Sequence, residues 1–233
     1  MTERKIPLLC ITGPTASGKS ALAVRLAQLL GGEVVSCDSM QIYRGMDIGT
    51  AKPTEAEMCG VPHHMIDIVA PSEDYNCGRY ADEAAKVIKD IASRGALPIV
   101  CGGTGLYLDS LITATEHADA PSDPAMREEL LARDAQSLHD ELSEIDAESA
   151  AAIHPNNKRR VARAIEIYRI TGRTKTEWDR RSHDTPSPYD ASVVALGYLD
   201  RELLYRRIRM RVDEMFDRGL CDEVCSLVLD PDS

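Results

Sequence analysis

Gly13-Pro14-Thr15-Ala16-Ser17-Gly18-Lys19-Ser20 matches the pattern GxxxxGK[ST], between an apolar strand-like run and a helix-like one. Glycines at both ends let the backbone turn its N–H groups inward around phosphate oxygens. The helix starting near Lys19 adds the positive end of its dipole. Lys19 brings a full charge to a terminal phosphate, and the Ser20 hydroxyl is suited to ligate Mg²⁺. In this context the motif predicts phosphate binding without naming the reaction. Most enzymes built on such a loop move phosphoryl groups, so a small-molecule kinase is the default expectation.

Three further segments carry candidate chemistry. Asp38-Ser39-Met40-Gln41 opens a long string, running to Ala51-Lys52-Pro53, that directly follows a second strand-like run. Asp38 would lie at the C-terminal edge of the sheet, where open α/β folds bind ligands. Gly102-Gly103-Thr104-Gly105 places a glycine turn and a hydroxyl at the end of a neighbouring strand. The run His154-Pro155-Asn156-Asn157-Lys158-Arg159-Arg160-Val161-Ala162-Arg163 sets arginines at the start of a helix. Arg160 and Arg163 are neighbours on its surface by spacing, as are Arg159 and Arg163.

These residues need elements to position them. Ile6 to Thr12, Glu33 to Ser36, Met65 to Val69 and Leu97 to Cys101 read as buried strands. Ser20 to Leu30 and Arg79 to Ser93 have helical apolar spacing and end near glycines. Such alternation predicts an α/β fold: a P-loop NTPase-like parallel sheet covered on both faces. From 114 to 190 strand signals give way to helices. Asp123 to Ala135 is one; a second opens at Ser137 with Asp140 in the reciprocal capping position. A third is capped by Asn156 and runs to Thr171, and Thr174 with Glu177 forms a capping box. Asp184 to Asp190 reads as a linker, Ser192 to Leu199 as a returning strand and Arg201 to Gly219 as a helix. The expected organisation is a core of 1–113 with 191–233, and a helical insertion at 114–190 that binds RNA.

Together with the phosphate loop, these strings resemble the tRNA dimethylallyltransferase family, from Ile6 to about Leu229. The resemblance implies transfer of a dimethylallyl group from dimethylallyl diphosphate to the N6 amine of the adenosine 3′-adjacent to the anticodon, with release of diphosphate. It implies that Asp38 accepts a proton from that amine, and that Thr15 and Arg211 contact the departing diphosphate. It implies contact with the tRNA anticodon arm through Asp38, Ser39, Met40, Gln41, Thr104, Arg127, Arg159, Arg160, Val161, Ala162 and Arg163. Spacing alone does not set Arg211 apart from Arg207 or Arg209. An adenylate isopentenyltransferase acting on free nucleotide is the nearest alternative, and the arginine-bearing insertion favours RNA over it. Family chains ordinarily continue past Asp232-Ser233 with a Gly-Tyr-containing segment and a basic stretch. A shortened, bacterial-type member is therefore expected, with no zinc-finger cysteines following.

Composition sets the remaining bounds. A chain of 233 residues suffices for one large core with an appended domain. Its net charge of −11 excludes coating nucleic acid by bulk electrostatics. From Lys158 to Arg211, however, 14 basic residues face 7 acidic ones, a local surplus that suits an anionic partner. No apolar run approaches the ~18–20 residues of a membrane span, and MTERKIPLL lacks the features of a secretory leader. Seven scattered cysteines form no CxxC pair, so reduced thiols in a cytoplasmic, monomeric enzyme are expected.

Overall fold

The computed structural model describes residues 5–113, 122–184 and 186–229, the side chains of 182–184 excepted. It divides into two compact units, Met1–Ile112 with Ser187–Ser233, and Thr113–Pro186. The expected start of the insertion at 114 lies outside the described residues.

The first unit is built on β1 (Ile6–Thr12), α1 (Lys19–Leu30), β2 (Gly32–Ser36), α2 (Glu55–Met58) and β3 (His63–His64). It continues with α3 (Cys77–Ser93), β4 (Leu97–Gly102) and α4 (Gly105–Ile112). The strands, with β5 (Tyr189–Ala195), form a parallel sheet in the order β3-β2-β4-β1-β5. Its inner strands are apolar on both faces because helices cover both. Val35, Val100 and Cys10 pack with Tyr80, Ile88 and Ile91 of α3. Ile11, Val34 and Ile99 pack with Ala23, Val24 and Ala27 of α1. Each large side chain so buried contributes roughly 1.5–3 kcal/mol. Tyr80 also stacks on Tyr107 of α4 at 4.3 Å, and its hydroxyl donates to the Ser36 carbonyl at 3.0 Å. That bond fixes the point where β2 gives way to Asp38.

The strand expected over Met65 to Val69 does not form. Met65 and Asp67 take left-handed φ of 61° and 56°, incompatible with a pleated strand. The short β3 precedes them, and Val69 makes only an isolated bridge to Tyr43. At the returning strand, Tyr189 and Asp190 already pair with Ile6 and Pro7, so the sheet begins before the expected 191.

The second unit comprises α5 (Pro124–Ala132), α6 (Ala135–Ile145), α7 (Ala147–Ala152), α8 (Lys158–Thr171) and α9 (Lys175–Asp184). Asp134, one turn before Ser137, caps α6 by accepting from the Ser137 amide at 3.0 Å. Asn157, one residue beyond the expected Asn156, caps α8. The Thr174–Glu177 capping box forms, with bonds of 2.8 and 3.1 Å. Leu130, Leu138, Leu142, Val161 and Ile165 fill this unit's core. The chain ends in α10 (Arg201–Asp217) and α11 (Leu220–Leu229), both in the first unit. No helix among the described residues is long and apolar enough to cross a membrane.

Candidate active site

The phosphate loop leaves the sheet where β1 and β5 end side by side. The Leu196 amide donates to the Thr12 carbonyl at 2.8 Å, so β5 follows β1 to its last residue. Gly13 then turns with a φ of 154°, and a Cβ there would stand 2.8 Å from the Leu196 carbonyl oxygen. No side chain fits that passage. Beyond it, the Ser17 amide closes back on the Pro14 carbonyl at 3.3 Å, and the Leu22 amide reaches Gly18 at 3.1 Å to start α1. Thr15, Gly18 and Ser20 are exposed along this loop. The Lys19 ammonium lies 3.5 Å from the Pro14 carbonyl and 3.7 Å from where a Gly103 Cβ would stand.

Asp38 is brought to the same sheet edge by β2 and β4. A Cβ on Gly102 would fall 1.9 Å from the Cys37 carbonyl oxygen, so only glycine lets the chain after β4 cross that after β2. The Thr104 amide donates to that carbonyl at 3.2 Å. The Thr104 hydroxyl accepts from the Ser39 amide at 3.0 Å and donates to the Ser39 hydroxyl at 3.3 Å. Asp38 accepts from the Met40 amide at 3.0 Å through Oδ1, and Oδ2 has no hydrogen-bond partner among the described residues. Burial pushes the Cys101 thiol up to about 11, while Lys19 and Ser20 draw it down and Asp38 opposes them. Burial likewise pushes Cys37 up to about 12. Both thiols are neutral at physiological pH and poor nucleophiles.

The rest of the Asp38–Pro53 string is held by its own side chains. Gln41 accepts from the Ser36 hydroxyl at 3.0 Å and donates to the carbonyls of Thr50 and Ala51 at 3.3 and 3.2 Å. Its donors are committed to shaping this loop, which makes it a positioning residue within the stretch expected to meet RNA. Lys52 is buried and donates to Tyr43 and Asp47, both at 2.6 Å, and to Asp67. One carboxylate from far along the chain completes the frame. Glu223 of α11 accepts from the amides of Asp47, Ile48 and Gly49 at 2.8, 2.6 and 2.9 Å.

Between this string, the phosphate loop and α10 lies a cavity of about 690 Å³. Residues 16–20, Lys52 and Pro53 form one side; Leu203, Arg207, Met210 and Arg211 form another. Thr15, Asp38 and Thr104 do not line it. Two buried side-chain atoms among the described residues lack a hydrogen-bond partner, Ser17 Oγ and Arg211 Nε, and both residues line this cavity. Buried polar groups are otherwise nearly always paired, so an unpaired donor and an unpaired hydroxyl on two residues of one cavity lining mark it as a place where a polar partner is missing. This distinguishes Arg211 from Arg209, which periodicity alone left equivalent. Among the described residues no group of three or more His, Cys, Asp or Glu converges as a metal cage.

In the helical unit the predicted residues separate. Arg127 donates to Glu166 through Nε and Nη2 at 2.9–3.1 Å, and Arg163 donates to it at 2.9 Å. Arg159 and Arg160 are exposed, and their side chains have no hydrogen bond or ion pair among the described residues. Val161 and Ala162, expected at the RNA surface, are instead fully buried. On a helix they point to the opposite side from Arg159 and Arg160 and pack with Leu130, Leu138 and Leu142.

Comparison with known proteins places these features in context. The family model described as IPP transferase matches residues 41–232, and that described as isopentenyl transferase matches residues 6–70. A tRNA dimethylallyltransferase of Pelotomaculum thermopropionicum is 50% identical over 229 residues, covering 97% of this chain and 72% of its own. The crystal structure of the full-length tRNA isopentenylpyrophosphate transferase from Bacillus halodurans is 47% identical, with a TM-score of 0.65 over 96% of this chain and 70% of that one. A eukaryotic dimethylallyltransferase acting on tRNA is 35% identical, with a TM-score of 0.81 over 96% of this chain and 56% of that one.

Proposed function

Because the chain belongs to the tRNA dimethylallyltransferase family, we propose that its sheet edge transfers the dimethylallyl group of dimethylallyl diphosphate to the N6 amine of the adenosine 3′-adjacent to the anticodon. The observation that carries the site assignment is that the two residues with unpartnered buried atoms, Ser17 at Oγ and Arg211 at Nε, both line the phosphate-loop cavity. The diphosphate occupies the loop from Gly13 to Ser20, with Lys19 and Arg211 as its fixed charges. Leu203 and Met210 offer the apolar wall a prenyl tail needs.

In the transfer, the adenine amine forms a bond to C1 of the dimethylallyl group while the bond from C1 to the diphosphate oxygen breaks. The bonding pair leaves with the diphosphate, where Arg211 and Lys19 meet the developing charge. The amine is a poor nucleophile because its lone pair is delocalised into the ring. Asp38, whose Oδ2 is unengaged, takes its proton. A base reaches such an enclosed edge only by leaving its stack. The exposed Arg159 and Arg160 supply charge for the RNA backbone. The fit of Mg²⁺ is that of an ion arriving with the diphosphate. Among the described residues no cluster of metal-ligating side chains is present, the exposed Ser20 hydroxyl sits at the helix start, and Mg²⁺ usually keeps waters and phosphate oxygens as ligands. Ser20 would hold it, and the ion would neutralise charge on the leaving group. Cytoplasmic residence belongs to the same proposal, supported by seven free cysteines, and a monomeric state is proposed with it.

The test is incubation with labelled dimethylallyl diphosphate and unmodified tRNA, with ATP in parallel. Label should enter tRNA, inorganic pyrophosphate should compete, and Lys19→Ala should abolish diphosphate binding. Transfer of the ATP γ-phosphate instead would replace this reading with a kinase.

A further inference from the structure

Ala16, in the middle of the phosphate loop, has a left-handed φ of 61°. Alanine rarely adopts that conformation unless its surroundings enforce it. Its carbonyl accepts two hydrogen bonds from far along the chain, from the Tyr198 hydroxyl at 2.8 Å and from Arg207 Nε at 3.0 Å. Tyr198 is placed by the sheet, and Arg207 is presented by α10. Tyr198 follows β5 two residues after Leu196, which is bonded to Thr12. The Arg207 guanidinium lies 6.0 Å from the centre of the Tyr198 ring, within cation–π range.

We infer that Tyr198 and Arg207 form a latch on the phosphate loop: positioning residues that hold the Ala16 carbonyl outward and so keep the loop in its anion-receiving shape. In a trans peptide the N–H points opposite to the C=O. Two donors pulling the Ala16 oxygen toward Tyr198 and Arg207 therefore direct the Ser17 amide to the opposite side, into the loop, where it donates to the Pro14 carbonyl at 3.3 Å and closes the loop's turn. Amides must line the interior for phosphate oxygens to be received. Arg207 thus has a different task from Arg211, one turn further along α10. Arg211 Nε has no partner among the described residues, whereas Arg207 commits its Nε to the loop backbone.

The latch rests on the reading of this loop as the diphosphate site, and the experiment separates the two. Parent, Tyr198→Phe, Arg207→Met and the double variant are compared by pyrophosphate affinity, by KM for dimethylallyl diphosphate and for tRNA, and by hydrogen exchange of the ligand-free protein. Each single variant should weaken diphosphate binding about three- to tenfold, the scale of one hydrogen bond. The double variant, which leaves the carbonyl with neither donor, should lose more than the product of the singles. Amide exchange in residues 16–20 should accelerate without ligand, KM for tRNA should hold, and Arg207→Lys should not restore the loop as Arg207 does. A parent that binds no pyrophosphate would sink the diphosphate reading and the latch with it. A parent that binds, with variants unchanged in exchange and affinity, would overturn the latch alone. An Arg207→Met loss that is the same with or without Tyr198→Phe would make Arg207 a charge for the ligand and not a latch.

Discussion

Two groups of arginines in this molecule are used in opposite ways. In the helical unit, Arg127 and Arg163 both bond Glu166, and Arg133 and Arg169 both bond Glu141. On α10, Arg206 and Arg211 line a cavity, joined by Arg218 just past the helix, and these three form no ion pair among the described residues. The first group answers its charge inside the unit and holds α5, α6 and α8 together. The second keeps its charge for something the chain does not supply. A cation whose neighbours already neutralise it adds to stability. A cation without a partner in the chain adds little to stability and is available to a ligand. Substitutions on the sheet edge should therefore cost rate without stability, and those around Glu166 should do the reverse.

The largest effect is expected at Asp38. Asp38→Ala should slow single-turnover transfer by about 10²–10⁴, the usual scale of losing a general base, with tRNA affinity within a few-fold of the parent. A near-normal single-turnover rate would remove Asp38 from the mechanism. Arg211→Ala comes next, at about 10²–10³ in rate, the cost of one preorganised donor to a developing anion. The sharper expectation concerns stability. Because Arg211 Nε is buried without a partner, the melting temperature should hold or rise. A clear fall would mean that Arg211 braces the fold and would dissolve the contrast with Glu166.

Glu166 tests the other side. Its side chain is fully buried; burial opposes its ionisation, but bonds from Arg163, the Asp123 amide and Arg127 outweigh that and hold the carboxyl below its ordinary value of 4.5. Glu166→Gln should destabilise by about 1–3 kcal/mol, less than a fully buried pair because both arginines are partly exposed. A depressed carboxyl stabilises the fold above its unfolded pKa and loses that contribution as pH falls through the folded one. Since glutamine does not titrate, the gap between parent and variant in denaturant unfolding should narrow below about pH 5. A gap that stays constant down to about pH 3 would assign the effect to shape and not to charge.

Much of this is legible in the residues, and the failures have physical causes. The strands β1, β2 and β4 announce themselves as apolar runs stopped by glycine or polar residues, and the phosphate loop is a local motif whose geometry follows from its glycines. The Met65–Val69 run has the composition of a strand, but its fate is decided at Lys52, whose buried ammonium bonds Asp67 and is accompanied by a left-handed turn there. Helix α11 has no capping residue to mark it, and its role becomes visible only when Glu223 meets three amides 174–176 positions away. The resemblance marks Arg127 and Arg163 for RNA; the i,i+3 spacing of Arg163 and Glu166 is a local signal of one bond, whereas nothing local announces that of Arg127, 39 residues from Glu166. Arg211 is singled out by resemblance and acquires a local reason only from its unpaired atom beside the cavity.

The smallest effect is expected where the comparison is most finely divided, within α8 itself. Arg159 and Arg160 are exposed, whereas Arg163 on the same helix is bonded to Glu166. Arg159→Gln with Arg160→Gln should weaken tRNA binding by about tenfold at moderate salt and leave pyrophosphate affinity and melting temperature unchanged. Neutral replacements remove attraction without adding the repulsion a reversal to glutamate would bring. The decisive observable is the slope of log affinity against log salt, which falls by about 0.7–0.9 for each RNA phosphate the protein no longer neutralises. Arg163→Gln serves as the internal contrast, because it strips a bond from a buried carboxylate and should lower stability first. An unchanged slope in the Arg159 and Arg160 variant would mean that these are solvated charges. A slope change confined to Arg163→Gln, with its melting temperature intact, would invert the division drawn between paired and free arginines.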